Sequence, residues 1–379
     1  MPDTLDTLLT PCLVLDRAVL QRNIDRMTAR LKPAGVQLRP HLKTAKSVDV
    51  GRMATAAFDG RITVSTLAEA RYFATGGFTD ILYGVGIVPS KLPSIAALRR
   101  QGGVNLRVVT DNLPVARAIA DAARDGDTFS VLIEIDSGAG RAGLPYPDLS
   151  GLVDIGRALH EAADVELAGV MTHGGHSYHE STPDGIARVA EQERLAVVTA
   201  ARMLREAGIP CPIVSAGSTP TAMHSRNFDG VTEMRPGVFV FNDLDQAGIG
   251  SCDAGDMALS VMASVIGHYP HRNQLLIDAG ALALSKDISA QEFMPRAGYG
   301  FIKDAPVPDL AVVACSQEHG FVQADAPLPW DKLPIGSKVR VWPNHACITA
   351  AAYDRYHVVD SEESDGRTIV ATYDRINGW

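Results

Sequence analysis

Two periodicities alternate along the chain. Short runs rich in β-branched and aliphatic side chains occupy residues 36–40, 62–65, 80–84, 105–109, 130–136, 166–172, 212–216 and 231–234. Between them lie longer stretches whose apolar residues recur at helical spacing, as at 67–75, 112–124, 149–162 and 185–207. The first pattern predicts strands and the second amphipathic helices. Strand alternating with helix predicts right-handed βαβ units and a parallel sheet. Eight such strands before residue 235 predict an α/β fold with a closed (β/α)8 barrel of TIM type. An open doubly wound sheet is the alternative. It usually carries Gly-x-Gly-x-x-Gly after its first strand, where this chain reads Pro40-His41-Leu42-Lys43-Thr44.

After residue 250 the pattern changes. Strand-like runs at 259–265, 274–278, 338–342, 356–359 and 368–373 are separated by turn residues, without long helical periodicity. These predict a β-rich second domain. The N-terminal run 11–15 is also strand-like and is expected to pair with it. The predicted organisation is therefore a barrel over 16–250 and a β-rich domain made of 1–15 and 251–379.

Composition narrows the function classes. Apolar residues make up 46% and charged residues 21%, enough for a large core and too apolar for a disordered chain. Acidic residues outnumber basic ones by 44 to 35, a net charge of −9. That argues against a nucleic-acid binder, though a local basic patch could hold one small phosphate. No apolar run approaches the roughly 18 residues a membrane helix needs, and the start Met1-Pro2-Asp3-Thr4 lacks the basic and apolar stretches of a secretory signal. Five scattered cysteines do not read as a disulfide framework, so a reducing cytoplasm is expected.

In a barrel the chemistry sits at the carboxyl ends of the strands. Lys43 follows the first strand. A lysine facing a pocket there tends to lose its proton and become a nucleophile suited to a Schiff base; the plainer reading is a solvated loop lysine like Lys46. Gly217-Ser218-Thr219 follows the seventh strand. Backbone N–H groups and two hydroxyls make an anion cup at that place, or else Ser218 or Thr219 simply caps the next helix. A Schiff-base lysine and a phosphate cup on one rim point jointly to pyridoxal phosphate. Arg141, in the loop Gly140-Arg141-Ala142-Gly143, could bond the cofactor ring or a substrate carboxylate, or pair with Asp136 or Asp148. His173 could stack on a ring and Tyr178 could hydrogen-bond one, although such residues are often structural. In the second domain His345 and Cys347 share a face if the strand 338–342 continues extended past Pro343. Imidazole and thiolate together suit zinc, while a buried cysteine beside a packed histidine is the plainer alternative.

At these residues the sequence resembles the metal-dependent D-serine dehydratase and D-threonine aldolase group of fold-type III pyridoxal-phosphate enzymes, relatives of the alanine racemases. The resemblance spans nearly the whole chain. It is carried by Arg39-Pro40-His41-Leu42-Lys43-Thr44, Gly140-Arg141-Ala142-Gly143, Thr172-His173-Gly174 with Tyr178, Gly217-Ser218-Thr219-Pro220-Thr221 and Pro343-Asn344-His345-Ala346-Cys347. It implies that Lys43 carries pyridoxal 5'-phosphate, and that Gly217, Ser218, Thr219 and the turn at Gly237 hold its phosphate. Arg141 would approach the ring hydroxyl, His173 the ring face and Tyr178 the ring nitrogen. His345 and Cys347 would bind zinc, or alternatively manganese or magnesium. The implied reaction is dehydration of a 3-hydroxy-D-amino acid to a 2-oxo acid and ammonia by a homodimer. Retro-aldol cleavage to glycine and an aldehyde is the main alternative, and a racemase or a non-catalytic cofactor-binding protein is a further one. The aldolases often carry His-x-Asp where this chain has His345-Ala346-Cys347, which leans towards the dehydratases.

Overall fold

The computed structural model describes residues 3–101, 103–123 and 127–379. Arg124, the last residue of the predicted helix 112–124, lies outside them, as do Met1 and Pro2. The chain divides into one unit of Arg26–Gly237 with Gly378–Trp379, and another of Met1–Asp25 with Val238–Asn377. Residues 16–25 and 238–250, predicted with the barrel, thus group with the β-rich unit. The helix Arg17–Leu31 follows the strand Cys12–Asp16 with no linker, and Asp16 caps it by accepting the Ala18 N–H at 3.1 Å, so no turn signal marks the change.

In the first unit eight strands run parallel in the order Gln37–Leu38, Glu233–Met234, Ile213–Ala216, Val165–Thr172, Phe129–Asp136, Asn105–Thr110, Asp80–Gly86, Ile62–Val64. His41 pairs in parallel with Thr63, and the Thr63 N–H donates to the Pro40 carbonyl at 2.9 Å, which closes the ring. The predicted barrel is therefore what forms. Helices over Leu67–Thr75, Leu113–Ala123, Leu152–His160 and Pro183–Glu206 return the chain between strands. Their starts are chemically marked: Thr66 accepts the Glu69 N–H, and Thr182 accepts the Gly185 N–H just before Pro183. Gly169 (φ +154°) lets two neighbouring strands meet, since a Cβ there would lie 2.0 Å from the Ile213 carbonyl oxygen.

Leu82, Val109, Leu132, Ala168, Met171 and Ile213 form one buried apolar cluster of this unit. The same unit holds an ion network. Arg39, fully buried, donates from Nε to Glu233 at 2.8 Å and from Nη1 to Asp80 at 2.7 Å, and Arg107 also pairs with Asp80. Burial alone would raise both carboxyls, but Arg39, joined by Arg107 at Asp80 and by the Ser215 hydroxyl at Glu233, outweighs it and holds them below the ordinary carboxylate range. A depressed pKa adds stability above the unfolded value and loses it as pH falls through the folded one. Arg39→Ala would leave Glu233 without its closest cation in the interior, so unfolding free energy should fall by about 3–5 kcal/mol. Guanidinium titration at neutral pH measures this; a loss under about 1 kcal/mol would show the network to be energetically idle.

The β-rich unit is one sheet in the order Gln274–Ile277, Gly320–Gln323, Ala311–Cys315, Phe301–Ile302, Lys338–Trp342, Leu259–Tyr269, Cys12–Asp16, Arg355–Val359, Ala371–Asp374. Gln274–Ile277 also pairs with Leu259–Tyr269, closing the first six strands into an antiparallel barrel. The N-terminal strand joins this sheet as expected, antiparallel to Leu259–Tyr269 and parallel to Arg355–Val359. No helix among the described residues is long and apolar enough to cross a membrane, and no disulfide joins the five cysteines among the described residues.

Candidate active site

Lys43 lies just beyond the first barrel strand, exposed, and its amine has no ion-pair partner among the described residues. Lys46 differs: its ammonium lies 3.2 Å from the buried Glu69 carboxylate. Around Lys43 the rim is cationic. Burial, then Lys43, Arg235, His173 and Arg141, hold His41 well below its ordinary pKa. Burial, then Arg141, Lys43 and Arg235, push His173 down to about 3. Both imidazoles are therefore neutral at physiological pH, and the guanidinium groups of Arg141 and Arg235 supply positive charge to the rim. Arg235 was not singled out from sequence. It is buried and donates to the Ser215 hydroxyl and the Thr172 carbonyl.

Arg141 does not take the partners weighed from sequence. Asp136 instead accepts the Gly138 and Gly140 N–H groups at 2.9 and 3.1 Å. Arg141 reaches Glu134, 3.7 Å away, and remains more than half exposed. His173 Nδ1 lies 3.5 Å from the Gly217 carbonyl, and its ring centroid is 6.4 Å from that of Tyr178.

The turn after the seventh strand departs from the expected cup. The Gly217 N–H donates to Glu193 at 2.9 Å, and the Ser218 N–H to the Thr221 hydroxyl at 2.8 Å. Ser218 caps the short helix Thr219–His224, its hydroxyl accepting the Thr221 N–H. Those two backbone donors are thus engaged within the chain. Thr219 is fully buried in the first turn of this helix. Gly217 (φ +114°) and Gly237 leave room that side chains would close: a Cβ would lie 2.9 Å from Arg235 N at the first and 3.0 Å from His41 O at the second.

The β-rich unit holds a second candidate centre. His345 and Cys347 do not extend the strand Lys338–Trp342, as the sequence reading supposed. His345 is the N-cap of a short helix, Ala346–Ala350. The first helical turn still brings the two side chains into hydrogen-bond contact. Asp287 Oδ2 lies 3.2 Å from His345 Nδ1. The buried Asp243 accepts the Ala346 N–H at 2.9 Å and so fixes the turn. Burial acts to lower the His345 pKa, but Cys347, Asp287 and Asp243 together carry it up to about 11. The bond to His345 takes Asp287 down to about 2. Asp245 is pushed up to about 7 by burial and then by Asp243. None of these aspartates was visible as a site residue from spacing alone.

Residues 15–245 match the alanine racemase N-terminal domain family, and residues 258–359 match the serine dehydratase domain family. The chain belongs to the alanine-racemase-like, fold-type III lyases. This lyase is 44% identical to the D-threo-3-hydroxyaspartate dehydratase of Delftia sp. strain HT23 over 387 residues, covering 100% of both chains. It is 33% identical to the D-serine dehydratase of Dictyostelium discoideum, covering 95% of each. The solved Delftia enzyme superposes with a TM-score of 0.95 at 43% identity, over 100% of both chains. Two solved variants of a D-threo-3-hydroxyaspartate dehydratase replace a histidine and a cysteine two positions apart, and the cysteine variant is described as metal-free. The D-threonine aldolase of Filomicrobium marinum superposes with a TM-score of 0.83 at 26% identity, over 99% of this chain and 97% of that one.

The rim of the lyase fits pyridoxal phosphate. An exposed amine, two guanidinium groups and glycine floors at 217 and 237 suit an anionic aromatic aldehyde. The donor set of the β-rich unit fits a divalent ion. Asp287 at Nδ1 leaves Nε2 of His345 to ligate beside the Cys347 sulfur. Among the described residues no three His, Cys, Asp or Glu side chains form a metal-holding group.

Proposed function

We propose that this lyase dehydrates a 3-hydroxy-D-amino acid, with D-threo-3-hydroxyaspartate as its preferred substrate, yielding a 2-oxo acid and ammonia. The observation that carries the reading is the exposed Lys43 amine, without an ion-pair partner among the described residues, on a rim where Lys43, Arg141 and Arg235 all act on two neutral histidines. When bound, pyridoxal phosphate draws electrons from the substrate Cα, and a divalent ion eases departure of the β-hydroxyl.

The chain's residues supply the rest. Lys43 anchors the cofactor and its Nζ takes the Cα proton. Ser218, Thr219 and the floor at Gly217 and Gly237 hold the phosphate. His173 would support the ring face, Tyr178 would bond the ring nitrogen and Arg141 the ring hydroxyl. His345 and Cys347 hold the ion, for which zinc is the best match to imidazole and thiolate. Substrate binding is favoured by the cationic rim, which suits the two carboxylates of 3-hydroxyaspartate better than the single one of D-serine. The full-length likeness to the Delftia dehydratase and the His-x-Cys pair support dehydration over retro-aldol cleavage. The protein acts as a homodimer, and cysteines held outside disulfides suit the cytoplasm.

The test is a kinetic panel. D-threo-3-hydroxyaspartate should exceed D-serine and D-threonine in kcat/KM by tenfold or more, about 1.4 kcal/mol of transition-state discrimination. A preference for D-serine would reassign the substrate, and sedimentation at monomer mass would remove the dimer.

A further inference from the structure

The seventh-strand turn and the His173 loop are tied together by a residue outside both. Glu193 lies within the long helix Pro183–Glu206 and is 1% exposed. Its Oε1 accepts the Gly174 N–H at 2.6 Å and the Gly217 N–H at 2.9 Å. Its carboxyl also bonds the Thr221 side chain, whose hydroxyl receives the Ser218 N–H. Gly174 directly follows His173, and Gly217 directly precedes Ser218 and Thr219. One carboxylate oxygen therefore bridges the sixth and seventh strand ends, and the same group orders the turn through Thr221. The geometry leaves little slack. A Cβ at Gly174 would lie 3.1 Å from Glu193 Cδ. A glutamate buried in a helix is costly unless its oxygens are satisfied, and charge-assisted bonds to amides satisfy them.

We propose that Glu193 is a positioning residue for cofactor binding: it sets the distance between His173 and the Ser218–Thr219 turn. The inference rests on the reading that these two loops hold pyridoxal phosphate. Glu193 acts through the two amides and touches neither cofactor nor substrate.

Three variants and two measurements test it. Glu193→Gln keeps an acceptor oxygen for both amides and can donate to Thr221. Glu193→Asp keeps the charge but is one methylene too short to reach both. Glu193→Ala removes the bridge. Hydrogen exchange on the cofactor-free protein should quicken about tenfold or more at Gly174 and Gly217 in the Ala and Asp variants, but not in Gln. Titration with pyridoxal phosphate should show Kd raised roughly ten- to a hundredfold in Ala, by less in Asp, and within about threefold of wild type in Gln. If Ala does not fold, the Asp and Gln pair carries the comparison. Wild-type affinity in both Ala and Asp, or a loss in Gln equal to that in Asp, would overturn the bridge. Wild-type protein that binds no pyridoxal phosphate would instead overturn the cofactor reading, while the exchange data would still decide whether Glu193 joins the loops.

Discussion

Cys347→Ala is expected to lower the rate of 2-oxo acid formation by roughly 10³-fold or more, while pyridoxal phosphate and its visible absorbance remain with the protein. The basis is a division of labour between the two centres. Hydroxide is a poor leaving group, and Lewis-acid assistance to it is worth several kcal/mol. His345 alone cannot hold the ion firmly, because Cys347 is its partner in the turn that begins the helix Ala346–Ala350. Lys43 belongs to the barrel unit and is untouched by the change. Exchange of the substrate Cα hydrogen with deuterated water should therefore persist, slowed where the ion also orients the substrate. Chelation of the wild-type enzyme should reproduce the phenotype, and added zinc should reverse it in wild type but not in the variant. Full dehydration by metal-stripped enzyme would contradict the assignment. So would stoichiometric metal retained by protein carrying both His345→Ala and Cys347→Ala.

Lys43→Ala should abolish both the covalent retention of pyridoxal phosphate and the lyase activity. Loss of a general base alone costs about 10²–10⁴-fold, and Lys43 also anchors the cofactor. Borohydride reduction of the wild-type holoenzyme, followed by peptide mapping, should place the label on Lys43. Lys46 is a poor competitor because Glu69 holds its ammonium at 3.2 Å. A label on Lys46 or Lys286 would move the cofactor elsewhere.

The barrel was legible because its strands and helices announce themselves by period, and because local chemistry marks the helix starts at Thr66 and Thr182. Lys43, His345 and Cys347 were legible because their residue types stand at strand ends or in a short motif. The strands Phe301–Ile302, Ala311–Cys315 and Gly320–Gln323 were not. They are brief, and the middle one carries a register shift between Val312 and Ala314. Glu193 was hidden because a glutamate in an amphipathic helix normally belongs to the solvent face, and only the fold reveals two loop amides waiting for it. The aspartates at 243, 245 and 287 were hidden for a related reason: tertiary structure, not spacing, gathers them around His345. At Gly217 and Ser218 the sequence shows that backbone donors exist, but not that Glu193 and Thr221 accept from them.

The central claim is tested most directly by the products formed from D-threo-3-hydroxyaspartate. Holoenzyme reconstituted with pyridoxal phosphate and zinc should release one oxaloacetate and one ammonia for each substrate consumed, the water expelled from Cβ being regained when the imine hydrolyses. Glycine and glyoxylate in equal amounts, with no ammonia, would contradict dehydration and make the lyase an aldolase.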